Sequence, residues 1–225
     1  MLNIPNILTL LNLFFGSMAV YGVFYESPSV VIISFLLALL FDFFDGFAAR
    51  KLDQTTPIGK ELDSLADMVS FGAFPTFLIV ETIERHTEML EEPFYLFVFV
   101  LGCGTAFRLA KFNITEQTKG IFQGLPCPAM ALFVFSLWIN IDHLNIELLH
   151  TPLFFLIIAA ALTILMNSNI PFLKFSFEAK FSISTILSII LFLIFIGFAI
   201  FDWKLAFLIT SSLYIVFSFL LPIFR

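Results

Sequence analysis

The chain has 225 residues, of which 60% are hydrophobic and 12% charged, with a mean hydropathy of +1.03. A soluble domain carries about 25% charged residues, so this chain has too little polar surface to cover one, and its long apolar runs point to lipid as the solvent for most of it. A formal charge of -6 and a pI near 4.9 argue against a nucleic-acid partner, and two cysteines, Cys103 and Cys127, make no disulfide framework.

Met1 to Pro5 lacks the basic start of a cleaved signal, and the first apolar run leads into further spans, so it is read as a retained helix. A spanning helix needs roughly 20 mainly apolar residues. Eight stretches are predicted: Asn6 to Phe24, Pro28 to Asp45, Leu62 to Thr82, Phe94 to Phe112, Pro128 to Ile141, Pro152 to Met166, Ser182 to Phe201 and Leu205 to Leu221. The fifth and sixth are short and separated only by Asp142 to Thr151, which fits tilted or partly interfacial helices, or ones longer than drawn. An even number puts both termini on one side, and the positive-inside rule assigns that side to the cytoplasm. Nine basic residues (Arg50, Lys51, Lys60, Arg108, Lys111, Lys119, Lys174, Lys180 and Arg225) then lie inside, and two, Arg85 and Lys204, outside. The expectation is an all-α polytopic membrane bundle forming one domain over residues 1–225, with no linker and no internal repeat.

Charged groups within membrane helices cost about 2.5–3.5 kcal/mol each on insertion scales, so those that occur face the bundle interior and have work to do. Asp42 and Asp45 are predicted to close the second helix, and Asp63 and Asp67 to open the third, with Gly46 to Leu62 turning between them. An i,i+3 pair lies about 60° apart around a helix and an i,i+4 pair about 40° apart, so each helix presents its two carboxylates on one face. One such Asp is an ordinary cap, but Asp67 stands a full turn inside its helix and no capping role explains it. Four anions brought together repel unless cations neutralise them, and all-oxygen ligands suit Mg²⁺ or Mn²⁺. Two such ions can hold a pyrophosphate and stabilise both oxygens of a phosphoryl transfer. Gly46 would allow close approach of a ligand or backbone, Arg50 could grip phosphate oxygens, Gly59 would allow a turn, and Thr56 offers a hydroxyl.

These positions also resemble a family pattern: Asp42, two residues, Asp45-Gly46, two residues, Ala49-Arg50, eight residues, Gly59, three residues, Asp63, three residues, Asp67. Eight specified positions across 26 residues are similar to the signature of the CDP-alcohol phosphotransferases, integral membrane enzymes that displace CMP from a CDP-linked lipid or alcohol with an acceptor hydroxyl. The resemblance implies that the four Asp share two divalent cations, Mg²⁺ or Mn²⁺, with Asp67 as general base. It implies a CDP-lipid site of Pro5, Asn6, Thr9, Gly46, Ala49, Arg50, Thr56 and Gly59, and a six-helix catalytic core followed by two C-terminal helices. It also implies a homodimer in the inner membrane with its active site on the cytoplasmic side.

Further segments, Ile4 to Phe15, Pro57 to Gly72, Phe107 to Asn113, Gly124 to Ala129 and Ser168 to Lys174, resemble the serine-accepting branch of that family, with CDP-diacylglycerol as donor and L-serine as acceptor. Lys111 stands where Arg is common and Cys127 where a small polar residue is common. Serine carries a carboxylate and an ammonium besides its hydroxyl, and Arg108, Lys111, Asn113 and Lys119 are the candidates to receive them. For Lys119 especially, anchoring at anionic headgroups is the alternative. A sister enzyme using glycerol 3-phosphate or an inositol acceptor is one rival. A cation transporter with an intramembrane Asp site is another, and it leaves Gly46, Arg50 and Gly59 without a reason. His86, His143 and His150 fall on the outer side and read as solvated loop residues, Gly102 and Gly104 as close helix contacts, Cys103 as a small buried residue, and Trp138 and Trp203 as interfacial anchors.

Overall fold

The computed structural model describes residues 3–86, 93–114, 122–144, 146, 151–172 and 183–220. Among them are eight helices: α1 (Ile4–Phe24), α2 (Pro28–Lys51), α3 (Pro57–His86), α4 (Val100–Ile114), α5 (Cys127–Leu144), α6 (Pro152–Asn167), α7 (Ile183–Ala199) and α8 (Trp203–Leu220). A 3₁₀ segment, Pro93–Phe99, leads into α4. Among the described residues five spans are long and apolar enough to cross a membrane, α1, α2, α3, α5 and α4 taken together with its 3₁₀ lead from Leu96, with α3 the most enclosed. The chain is an all-α polytopic bundle, as its composition requires.

Local chemistry sets the helix starts. Proline stands in the first helical turn of α1, α2, α3 and α6, where the missing N–H costs no helical bond. The side chains of Asn3, Thr56 and Thr151 accept from the backbone N–H three residues on, capping α1, α3 and α6. Two tight connections use residues with positive φ, Glu26 at 48° between α1 and α2 and Asp53 at 52° between α2 and α3.

Two boundaries differ from the sequence expectation in a way that matters. The second helix runs on through Asp45 to Lys51, and the third begins at Pro57, so Gly46 to Leu62 is mostly helix and only Leu52 to Thr56 connects. The carboxylates therefore sit within helical walls rather than at loop edges, because the apolar Phe47 and Ala48 and the helix-favouring Ala49 to Lys51 prolong α2 past Gly46. α5 spans Cys127–Leu144, longer than its apolar run suggested.

α3 is interrupted by a π segment, Met68–Ala73, that begins directly after Asp67. Such wide turns are uncommon and cluster at functional sites. Phe71 within it and Phe74 just after it pack with Phe35 of α2 and Phe135 of α5 in an aromatic core, with the Phe35 ring centroid 4.8 Å from Phe74 and 4.7 Å from Phe135. Among the described residues a two-residue antiparallel pair, β1 (Phe122–Gln123) with β2 (Pro171–Phe172), clasps the segments following α4 and α6. Gly124 carries a φ of 76° there and donates from its N–H to Ile170 O at 2.9 Å.

α4 crosses α6 closely at Gly104, where a Cβ would fall 2.5 Å from Thr163 Cγ2, which fits the packing role expected for that glycine. Cys103 beside it is exposed, not buried, since the face that brings Gly104 against α6 turns its neighbour outward. Trp203 is 40% exposed, whereas Trp138 is 9% exposed and donates from its ring nitrogen to Glu81.

Candidate metal and phosphate site

The bundle places the N-terminal end of α1, the C-terminal ends of α2, α4 and α6, and the N-terminal ends of α3 and α5 at one end. Arg50, Lys51, Lys60, Arg108 and Lys111 lie toward that end, and Arg85 and Lys204 toward the other, matching the division of charge read from the sequence. Lys119, Lys174, Lys180 and Arg225 lie outside the described residues.

At the basic end, Asp42 of α2 and Asp63 and Asp67 of α3 each present an oxygen within 4.8 Å of the others. The i,i+4 spacing puts both α3 carboxylates on the side facing α2. Asp67 is buried, and its carboxylate interacts directly with that of Asp42. Three carboxylates this close in a membrane interior are unfavourable as a bare set, so the arrangement calls for cations among them.

Asp45 is buried beside this group rather than within it. Its carboxylate interacts with Asp63, Thr9, the Gly46 backbone and Arg50. Among the described residues its Oδ2 has no hydrogen-bond partner. A buried carboxylate oxygen left without a donor beside three clustered carboxylates is what a site for hard divalent cations needs, and the donor set is all oxygen. These residues therefore fit the group that the sequence implies.

The remaining residues of the predicted CDP-lipid site surround the cluster in distinct ways. Pro5, Asn6 and Thr9 are buried on α1, and the Thr9 hydroxyl donates to Pro5 O at 3.1 Å. Thr56 is exposed, and its hydroxyl accepts from Gly59 N at 3.1 Å, so it caps α3. Gly59 makes no turn, contrary to expectation: it lies in the first turn of α3, where a Cβ would fall 2.8 Å from Asn6 Oδ1, and so allows α1 to approach. Gly46 makes room for a side chain, since a Cβ there would lie 3.3 Å from Arg50 Nη1. Arg50 thus folds back over the helix toward Asp45, with Ala49 half-buried beside it.

The three described acceptor candidates differ in their surroundings. Arg108 is buried, its Nε donating to Met166 O at 3.2 Å and its Nη1 to Cys127 Sγ at 3.4 Å, which ties α4 to α6 and α5. Lys111, three residues on, is exposed. Asn113 is half-buried and bridges to α3, donating to Ser64 Oγ at 2.9 Å while its backbone oxygen accepts from Lys60 at 2.6 Å. Lys119 lies outside the described residues.

Two further residues stand behind the cluster without having been singled out from the sequence: Asn12 donates to Asp67 at 3.3 Å, and Ser70 donates to Asn12. Cys127, noted in the sequence, interacts electrostatically with Asp42 and Asp67. The signal for Asn12 was present as Asn6, Thr9, Asn12 and Gly16, a polar and small stripe at helical spacing in an otherwise apolar helix.

A sequence profile of the CDP-alcohol phosphatidyltransferases matches residues 2–166, which contain all of the clustered carboxylates. The chain belongs to this family. Among its relatives, a CDP-diacylglycerol–serine O-phosphatidyltransferase of Bacillus subtilis is 32% identical over 181 residues, covering 78% of this chain and 93% of the relative. An enzyme of the same name from Methanocaldococcus jannaschii is 33% identical over 192 residues, 84% of each chain. An archaetidylserine synthase of Methanothermobacter thermautotrophicus is 33% identical over 141 residues, 61% of this chain and 58% of that protein. The family profile ends at residue 166, so α7 and α8 lie beyond it.

Proposed function

We propose that this phosphatidyltransferase moves the phosphatidyl group of CDP-diacylglycerol to the hydroxyl of L-serine, releasing CMP and forming phosphatidylserine. The observation that carries the reading is the Asp42, Asp63 and Asp67 cluster, within 4.8 Å, in a chain of this family. Serine as acceptor is supported by the names of the relatives above.

The cluster, with Asp45 at its side, would hold two divalent cations, Mg²⁺ or Mn²⁺, which when bound would neutralise the carboxylates and stabilise the attacking and leaving oxygens. The chain's own residues supply the rest. Asp67 accepts the serine hydroxyl proton as that oxygen forms its bond to the lipid-side phosphorus and the bond to the CMP oxygen breaks. Arg50, folded over Gly46, offers its guanidinium to the phosphate oxygens of departing CMP. Pro5, Asn6, Thr9, Ala49, Thr56 and Gly59 shape the wall against which the nucleotide lies. The buried guanidinium of Arg108 receives the serine carboxylate, with Lys111, Asn113 and Lys119 as the further residues of the acceptor site.

The active site opens to the cytoplasm in this reading, with both termini on that side of the inner membrane, on the strength of the basic residues at the same end. Residues 1–225 act as one catalytic domain, a six-helix core completed by α7 and α8, and the enzyme works as a homodimer. Purified protein supplied with radiolabelled CDP-diacylglycerol and, in parallel, serine, glycerol 3-phosphate or inositol tests the reaction. Serine-dependent CMP release is expected; release with another acceptor alone would reassign the enzyme to a sister reaction, and none with any acceptor would leave the cation-transport reading.

A further inference from the structure

Asp67 is held from behind. The Asn12 side chain, wholly buried on α1, donates from Nδ2 to Asp67 Oδ1 at 3.3 Å. The hydroxyl of Ser70, also wholly buried, lies 2.7 Å from Asn12 Oδ1 and 3.2 Å from the Asn12 backbone oxygen. An ionised carboxylate only accepts hydrogen bonds, so a base at Asp67 must meet the amide nitrogen of Asn12, not its oxygen. The amide oxygen then faces α3, and Ser70 is the donor waiting for it. One orientation of the amide satisfies both neighbours, and the opposite one sets the amide oxygen against the ionised carboxylate, which has no proton to give it.

The backbone makes room for this chain of bonds. Gly16 stands one turn beyond Asn12 on the same face of α1, and a Cβ there would collide with Ser70 Oγ and Cβ. The π segment of α3 starts directly after Asp67 and contains Ser70. A purely packing contact at this crossing would be served by apolar side chains, which carry no desolvation cost; two wholly buried polar groups aligned on a functional carboxylate are a different arrangement.

We propose that Asn12, oriented by Ser70 in the space left by Gly16, is a positioning residue for Asp67: it occupies one carboxylate oxygen and thereby fixes which oxygen is left for the acceptor proton and the cluster. The proposal rests on the reading of Asp67 as the base. Asn12 and Ser70 touch no substrate, so their removal should slow turnover without weakening the binding of either substrate.

The test uses full-length protein in detergent–lipid micelles, with Asn12→Ala, Ser70→Ala and the double variant. The kcat for CMP release, the KM for each substrate, and the Mn²⁺ concentration giving half of the Mn²⁺-induced thermal shift are measured. Asn12→Ala is expected to lose about 10- to 100-fold in kcat with each KM moving less than about threefold, the scale seen when groups behind a metal-site ligand are removed. Ser70→Ala should lose about threefold to tenfold, and the double variant should be no slower than Asn12→Ala, because Ser70 acts through Asn12. The Mn²⁺ requirement of Asn12→Ala should rise about tenfold. Losses in kcat that multiply in the double variant, or an Asn12→Ala enzyme with unchanged kcat and Mn²⁺ requirement, would overturn the proposal. Asn12→Asp keeps the shape but sets another anion against Asp67, so it should be at least as impaired as Asn12→Ala; near-normal turnover would also overturn it. Wild type and Asp67→Asn run alongside: if wild type releases no CMP, or Asp67→Asn keeps turning over, the reaction or the base assignment fails, while the Mn²⁺ requirement still reports whether Asn12 positions Asp67.

Discussion

At the end of the bundle away from the cluster, every described carboxylate in the interhelical network has a partner of opposite character. Glu81 accepts from Trp138 Nε1 at 3.0 Å and lies 3.5 Å from Arg85, while Asp142 lies 3.0 Å from His86 Nε2 and 3.8 Å from Arg85. His86 also has its Nδ1 2.9 Å from Thr82 O, so it belongs to this network and is not the freely solvated loop residue that the sequence suggested. At the basic end Asp42, Asp63 and Asp67 face one another, and a buried oxygen of Asp45 has no hydrogen-bond partner among the described residues. The first arrangement is complete in protein atoms and pins α3 to α5. The second is not completed by the described residues. Acidic residues within one bundle thus divide into two sets by whether the protein satisfies them, not by their number or depth.

The comparison is broken most sharply by removing charge from each end in turn. Asp67→Asn keeps the shape but not the base, and CMP release should fall by about a hundredfold to ten-thousandfold; near-normal turnover would remove Asp67 from the chemistry. Arg108→Ala should raise the serine KM about tenfold or more while the CDP-diacylglycerol KM moves little, the scale of losing a charged contact to the acceptor; equal losses for both substrates would count against an acceptor pocket there. In EDTA, Asp42→Asn and Asp63→Asn should melt at least about 2 °C above wild type, because like charges are relieved where no cation offsets them. With Mn²⁺ added the order should reverse. At the far end, Glu81→Gln should cost about 1 kcal/mol or less in stability and leave turnover within about twofold of wild type; a large loss of turnover would mean the two ends are coupled.

The all-helical bundle, the division of charge and the proximity of Asp42, Asp63 and Asp67 were legible because each follows from composition or from the 3.6-residue repeat. The helix ends near the site were not. α2 continues past Gly46 because Phe47 to Lys51 sustain a helix as well as they would a loop, and local sequence does not separate the two. Nor was the role of Gly59, whose neighbour Asn6 is remote in sequence and becomes adjacent only when α1 packs on α3. The π segment left no mark in the run Met68 to Ala73, and the contact of Ser70 with Gly16 joins residues remote in sequence. Asn12 was visible as a polar residue in an apolar helix, but its meaning required knowing that Asp67 lies opposite. The separation of Arg108 from Lys111, one buried and one exposed, likewise depends on where α6 and α5 bring Met166 and Cys127 against α4.

The most direct test is anomalous scattering from Mn²⁺ in crystals of the protein grown with CDP-diacylglycerol. Peaks enclosed by Asp42, Asp63 and Asp67, with Asp45 within reach and the diphosphate against them, are expected. Mn²⁺ bound elsewhere, with those carboxylates protonated or turned apart around the lipid headgroup, would contradict the account.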